Sequence, residues 1–400
     1  MNKENKKIIL KKGKEKSLDR FHPWVYSGAV KETDNGINEG DIVSVYSIDE
    51  KFIAKGFWQN DSIAVKILTF ENRDIDNNFW IEHMQAAVKV RQTVKVVNEG
   101  FTDIFRLVNG EGDNLPSLIA DFYDGLLVVQ FHSVFMYLHR EAICMAIQKV
   151  MGVRCKAVFN KSSSTLPRGF SSKNEFLLGN VPDELYALEN GIKYLIDYKC
   201  GQKTGFFIDQ RDNRNLLSLM AAGKRVLNTF SYTGGFSLAA LRGNAEYVTS
   251  VDVSKRAIEI CKQNLSINNY NTDKYKDKHN EIVADVTKYL NEVKKYEYDI
   301  IILDPPAFAK HQKDLQAAVK AYRELNCIAL SKIAHGGLLF TFSCSGVVSS
   351  EAFSVMLFSA AALSGRKVRI IKSLGAAADH PQNIFHPEGE YLKGFLLYVE

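Results

Sequence analysis

The feature that most restricts this chain is a short apolar run with an abrupt stop. Ile300-Ile-Ile-Leu303 carries no polar side chain and is followed at once by Asp304-Pro305-Pro306. Four consecutive apolar residues fit a strand buried on both faces, the habit of central strands in parallel sheets. Two prolines cannot donate to a ladder, so the strand ends there and the loop over its carboxyl end is stiff. From about residue 186 onward, strand-like and helix-like segments alternate nearly to Glu400. That alternation predicts an α/β fold with a doubly wound, mostly parallel sheet.

Other loops are expected at the same edge of that sheet. Arg225-Val-Leu-Asn-Thr-Phe-Ser-Tyr-Thr-Gly-Gly-Phe-Ser-Leu-Ala-Ala240 reads as a short strand, a turn through Gly234-Gly235 and a helix. Glycines there let a ligand approach the backbone, and the helix start offers free N–H groups. The turn is not the G-x-G-x-x-G of a dinucleotide site, so a cofactor without phosphates fits it better. Tyr247-Val-Thr-Ser-Val-Asp252 is a strand ending in an acid, with Val253-Ser254 opening the next helix. A carboxylate about 20 residues after the glycine turn can accept hydrogen bonds from two ribose hydroxyls. Glu281-Ile-Val-Ala-Asp285 is a third strand ending in an acid, placed to take a donor from an adenine amino group. A single acid after a strand is more often a helix cap; two on successive strands behind a glycine turn point to a ligand site. The Asp304-Pro305-Pro306 loop, with its carbonyls turned outward, suits a flat base held beside the cofactor.

Gly336-Gly-Leu-Leu-Phe-Thr-Phe-Ser-Cys-Ser345 is a fifth strand running into small residues, with Cys344 next to the proline loop in strand order. A thiolate there can add to carbon 6 of a pyrimidine. The addition makes carbon 5 enolate-like and able to attack a methyl sulfonium. An arbitrary cysteine is more often buried filler; its place at the active edge favours the nucleophile.

The N-terminal half has another character. Short near-alternating strands at Ile8–Leu10, Asp41–Tyr46, Phe52–Phe57 and Ser62–Leu68 predict a small all-β barrel over residues 1–73. Residues 1–31 hold nine Lys/Arg against three Asp/Glu, in a chain of net charge +5, so the remainder is close to neutral. Arg20-Phe-His-Pro-Trp-Val-Tyr26 sets aromatic faces beside cations, which suits nucleic acid as well as it suits a small core. Residues 74–185 read as an α+β domain, with helices over 79–98 and 134–150 and a basic loop over 160–169. The alternating α/β region is 186–400. The six cysteines include no C-x-x-C pair, so no metal site is expected. No apolar stretch approaches the roughly 20 residues of a membrane span, and the charged N-terminus is unlike a secretory signal. The expected location is the cytoplasm, with no membrane partner.

Taken together, these residues resemble the bacterial 23S rRNA large-subunit cytosine-5 methyltransferase family. The resemblance covers essentially the whole chain. It rests on Asn109-Gly-Glu-Gly-Asp113 with Leu115-Pro116, Gly201-Gln-Lys-Thr-Gly-Phe-Phe-Ile-Asp-Gln-Arg-Asp-Asn-Arg214 and Asn228-Thr-Phe-Ser-Tyr-Thr-Gly-Gly235. Asp304-Pro-Pro-Ala-Phe308, Thr341-Phe-Ser-Cys-Ser345, Ala378-Asp-His-Pro381 and Pro387-Glu-Gly-Glu-Tyr-Leu-Lys-Gly394 complete it. The family implies a PUA-like RNA-binding barrel before a Rossmann-like, class I methyltransferase domain with a mostly parallel seven-stranded sheet. It implies S-adenosyl-L-methionine as methyl donor and 23S rRNA, or a precursor of the large ribosomal subunit, as partner; a homodimer is left open. Catalysis would fall to Cys344 and Asp304. The cofactor would be held by Phe206, Gln210, Phe230, Ser231, Tyr232, Thr233, Gly234, Gly235, Asp252, Ser254, Asp285, Asp304 and Pro305. Related cytosine-5 enzymes carry a second cysteine in the proline motif. Here the motif has none, and the base that takes the carbon 5 proton is left among Asp304, His380 and Glu388. Two rival readings are methylation of a base nitrogen without a covalent step, and a non-catalytic RNA-binding assembly protein.

Overall fold

A computed structural model describes residues 6–96, 100–273, 275, 277–309 and 311–400. The first five residues of the basic segment, and positions 97 and 98 of the expected helix, lie outside the described residues. The chain forms two compact units. One holds the residues up to Leu185 together with Ile196–Phe206 and Ala378–Gly389; the other holds Tyr186–Leu195, Phe207–Ala377 and Glu390–Glu400.

In the first unit, six strands (Lys6–Leu10, Trp24–Tyr26, Val30–Thr33, Ile42–Tyr46, Phe52–Trp58 and Ile63–Thr69) form one sheet. Its inward face is Ile8, Leu10, Val43, Val45, Ala54 and Val65, all nearly inaccessible. Trp24–Tyr26 and Val30–Thr33 are too short, and their pairing too irregular, to show an alternating pattern. A second sheet takes Ile104–Asn109, Leu118–Tyr123, Leu126–Phe131, Ala157–Asn160 and Glu175–Leu178. The helix expected over 79–98 is Asn77–Thr93, started by Asp76, whose carboxylate accepts from the Phe79 N–H. The helix expected over 134–150 is two, Val134–Leu138 and Arg140–Met151. It breaks at His139, whose backbone (φ −93°, ψ 9°) leaves the helical region.

Buried ions tie this unit together. Arg91 is 1% exposed and donates to the Asp113 carboxylate, with one bond of 2.8 Å, and to the carbonyls of Arg106 (2.8 Å) and Asp379 (2.7 Å). Arg106 in turn grips Asp121 with two bonds of 2.8 and 3.0 Å. Thr204 donates to that same Asp121 at 2.6 Å and meets the Tyr123 hydroxyl at 2.8 Å. Each charge is opposed at contact distance, the condition under which an ion survives burial.

The second unit is built on seven strands: β1 (Arg225–Thr229), β2 (Tyr247–Asp252), β3 (His279–Val283), β4 (Ile300–Leu303), β5 (Gly337–Ser343), β6 (Val368–Gly375) and β7 (Lys393–Val399). Their order across the sheet is β3-β2-β1-β4-β5-β7-β6. The first five pair in parallel, and β7 runs antiparallel to both of its neighbours. All of β4 is inaccessible, as the apolar run requires. Helix α1 (Arg211–Met220) precedes the sheet, and α2 (Gly235–Arg242), α3 (Lys255–Ile267), α4 (Val286–Glu292), α5 (Leu315–Lys332) and α6 (Ser350–Ser364) lie between strands in the chain. Numbering from β1, the order reverses between β1 and β4, so a crevice opens outside their carboxyl ends.

Asp113→Ala would strand the Arg91 guanidinium in the first unit's core. Denaturant unfolding of that variant is expected to show a loss of about 3–5 kcal/mol, and Arg91→Met with Asp113→Leu a much smaller one.

Candidate active site

Five loops leave the carboxyl ends of the parallel strands at one edge of the sheet. After β1 the chain turns sharply: Phe230 (φ 52°), Tyr232 (φ 46°) and Gly234 (φ 84°) all take left-handed backbone. Such conformations are costly for a non-glycine residue and persist where the surroundings impose them. Here Ser231 N–H donates to the Val251 carbonyl at 3.0 Å and Gly234 N–H to the Ser231 carbonyl at 2.9 Å. Asn264 of α3 donates to the Thr233 carbonyl at 2.9 Å. A Cβ on Gly234 would sit 2.4 Å from the Cys261 sulfur of α3, so glycine is required by contact as well as by conformation.

Asp252 ends β2. Its two carboxylate oxygens accept from the N–H groups of Tyr232 (2.9 Å) and Ser254 (2.8 Å), which joins the first loop to the second. Each oxygen keeps a further lone pair. Ser254 caps α3 by accepting from Ala257 N–H at 3.2 Å. Asp285 lies two residues beyond β3 and caps α4, accepting from Lys288 N–H at 2.9 Å. It is exposed.

Asp304 follows β4 and is oriented from a distance in sequence. Gln210 donates to its carboxylate at 3.0 Å, while the Gln210 oxygen accepts from Asn213 of α1 at 2.6 Å. Asn213 also donates to the Gly375 carbonyl at 3.0 Å. Arg214, one turn from Gln210, is buried and fixed by two bonds to Glu189 (2.7 and 2.6 Å); its side chain lies under Gly235. The long Gly201–Arg214 string therefore has two employments: Thr204 serves the first unit's ion network, and Gln210, Asn213 and Arg214 brace the sheet's loops. Phe206 falls in the first unit and is buried. Its neighbour Phe207 meets Tyr232 edge-on, ring centres 5.1 Å apart.

Cys344 follows β5, half-buried, with its sulfur 3.7 Å from the Pro305 carbonyl. The structure thus brings Gln210, the Phe230–Gly235 turn, Asp252, Ser254, Asp304, Pro305 and Cys344 to one edge, with Asp285 at the far end of that edge. His380 and Glu388 belong to the first unit, where Glu388 is engaged by His22 (3.3 Å) and Tyr26 (3.2 Å). Sequence reasoning gave no individual role to Asn213, Asn264 or Lys393; Asn213 entered only within the Gly201–Arg214 stretch expected to line the pocket, and Lys393 only within the Pro387–Gly394 string. Lys393 carried a usable signal, as the one charged residue in the otherwise apolar β7.

The site fits a nucleoside cofactor on its own terms. The Ser231 hydroxyl is buried with no hydrogen-bond partner among the described residues, between the two residues of the turn with left-handed backbone. A buried hydroxyl left unpaired is costly unless a ligand completes it. Asp252, bonded to the same turn through the Tyr232 N–H, keeps lone pairs for further donors.

A family described as S-adenosylmethionine-dependent methyltransferases matches residues 105–353, and a PUA-like domain family matches residues 8–70. A candidate methyltransferase solved with SAH superposes with a TM-score of 0.83 at 25% identity, covering 98% of this chain and 100% of that one. A SAM-dependent methyltransferase candidate from Streptococcus mutans gives the same values. Fold and turn thus define a methyltransferase that takes S-adenosylmethionine. Relatives named ribosomal RNA large subunit methyltransferase I, from Erwinia tasmaniensis and Aeromonas salmonicida, are each 36% identical, over 98% of this chain and 99% and 98% of theirs. The chain belongs to that family of S-adenosylmethionine-dependent methyltransferases.

Gly234→Ala is expected to lower stability by about 1–3 kcal/mol in denaturant melts and to weaken S-adenosylmethionine binding in calorimetry. Adding Cys261→Ala should recover part of the stability and not all, since it removes the clash and leaves the left-handed backbone.

Proposed function

We propose that this protein methylates carbon 5 of a cytosine in 23S ribosomal RNA through a covalent adduct with Cys344. The observation that carries the reading is the Cys344 sulfur lying 3.7 Å from the Pro305 carbonyl, on the rim of the crevice between β1 and β4. The relatives named for ribosomal RNA supply the substrate class.

S-adenosylmethionine, when bound, supplies an electrophilic methyl group. On this reading Asp252 takes the ribose hydroxyls, Ser231 gives its unpaired hydroxyl to the cofactor, and Phe230 to Gly235 line its flank. Phe206, Gln210, Ser254, Asp285 and Pro305 complete the assignment of the pocket. Asp304, held by Gln210, and the Pro305-Pro306 loop position the cytosine, whose amino group is a donor that a carboxylate can accept. The Cys344 thiolate adds to carbon 6, and the ring's electron pair moves to carbon 5, the atom that is methylated. A base, for which Asp304 is the candidate at this edge, takes the carbon 5 proton; the 5,6 double bond re-forms and the thiolate is expelled. A base inside a folded RNA must leave its stack to reach such an edge. The barrel-like sheet and the α+β part, divided near residues 73 and 185, are assigned to RNA contact. A cytoplasmic enzyme acting on free rRNA or on a subunit precursor, as monomer or homodimer, belongs to the same reading.

Two measurements test it together. Mass mapping of rRNA from cells lacking the gene should reveal one cytosine without its methyl group. Cys344→Ala should fail to restore it, with turnover down at least about a thousandfold and S-adenosylmethionine binding retained. Retained methylation by Cys344→Ala would point to a nitrogen of the base as the acceptor. Absence of cofactor binding by the unaltered protein would leave the non-catalytic reading standing.

A further inference from the structure

We propose that the buried ammonium of Lys393 is the counter-ion of the Cys344 thiolate, a positioning residue that holds the sulfur ionised between turnovers. The proposal rests on the reading of Cys344 as nucleophile.

The geometry straddles the cysteine. In the β5–β7 ladder Lys393 pairs with Ser343, the residue before Cys344. The Lys393 side chain then reaches past it, and its Nζ donates to the carbonyl of Ser345, the residue after, at 2.8 Å. Ser345 is itself pinned, its hydroxyl donating to the Ala309 carbonyl at 2.7 Å. A second, longer bond from Nζ goes to the Glu390 carbonyl at 3.4 Å.

What is missing is a carboxylate in hydrogen-bond contact. Lys393 is 3% exposed, and among the described residues its hydrogen-bond partners are two neutral carbonyls. The side chain of the nearby Glu390 is turned to Ser350, which donates to it at 2.7 Å. Elsewhere in this protein the buried guanidinium groups of Arg91 and Arg214 are bonded by carboxylates, Asp113 and Glu189, while buried Lys161, like Lys393, donates to a backbone carbonyl, that of Gly201. A buried cation bonded to neutral dipoles is stabilised by any opposite charge nearby, and the Glu390 carboxylate, not itself bonded to Lys393, supplies part of it. A thiolate one residue from its anchor supplies the opposite charge, and cations beside a cysteine favour its ionised form.

Other titratable groups lie near this pair. Asp304, beside Pro305, opposes a thiolate through like charge. Tyr322 of α5 is driven up to about 12, by burial first and by the charges of Cys344 and Asp304 among the remaining causes, so it stays a neutral phenol. Burial holds Lys393 itself below the usual lysine range, while Glu390 and the Cys344 charge push it back up. The coupling is reciprocal: a thiolate that keeps the lysine charged is kept ionised by it to the same extent.

The test is alkylation of the full-length protein by iodoacetamide as a function of pH, with peptide mass mapping to follow each cysteine. Exposed Cys200 serves as internal reference. Cys344 is expected to titrate below Cys200 in the unaltered protein. In Lys393→Met its midpoint should rise by about one unit or more, a tenfold slower reaction at neutral pH, while Cys200 stays put. Lys393→Arg should keep most of the effect. Coincident Cys344 and Cys200 profiles in the unaltered protein, or a Cys344 profile unmoved in Lys393→Met, would overturn the proposal. Should Lys393→Met fail to fold, the unaltered protein and the Arg variant still decide. The measurement needs neither RNA nor cofactor, so it is separate from the Cys344→Ala test of the nucleophile.

Discussion

The direction of five strands governs the catalytic unit. Because β1 to β5 run in parallel, every loop that follows them emerges at the same edge, whatever the distance in sequence. Right-handed crossovers then send the chain outward from β1 on one side and from β4 on the other. The crevice between those two strands is left uncovered by any crossover of its own. A glycine turn enters it from one side and a proline-stiffened loop from the other. Their rigidity has opposite sources, left-handed backbone in the first and locked φ in the second, yet both arise from short local sequence.

Polar side chains around the crevice mostly hold loops. Asp252 joins two loops through backbone N–H groups, Asn264 fixes the glycine turn, and Gln210 with Asn213 orients Asp304. Such bracing gives the loops fixed positions before any ligand arrives, which lowers the ordering cost of binding. The cysteines divide along the same line. Burial pushes Cys144 and Cys261 up to about 12 and Cys155 up to about 11, so these thiols act as packing groups. Cys344 is half-buried at the edge of the sheet, with a lysine ammonium anchored one residue away.

What could be read in advance follows from how local each signal is. The run Ile300–Leu303, the prolines after it and the Gly234-Gly235 turn each declare their conformation within a few residues, and all stand where the alternation of strands and helices put them. Cys344 was legible for the same reason, as the residue after an apolar strand. The bracing was not legible. Gln210 and Asp304 are 94 positions apart, and Arg91 and Asp379 are 288 apart. Such pairs are set by the finished fold and leave no spacing to recognise. Trp24–Tyr26 and Val30–Thr33 escaped because strands of three and four residues are too short for a period. His139 interrupts a helix whose apolar pattern runs on across it, so periodicity alone could not mark the break.

Strand β7 lies between β5 and β6 and runs against both, so its first residue, Lys393, stands at the edge where its neighbours end. Every other strand of the sheet precedes it in the chain. During synthesis β5 is therefore made before the strand that will cover its open side. Until residues 393–399 are made, β5 lacks its antiparallel partner, so the ladder that anchors Lys393 next to Cys344 can form only after the other strands exist.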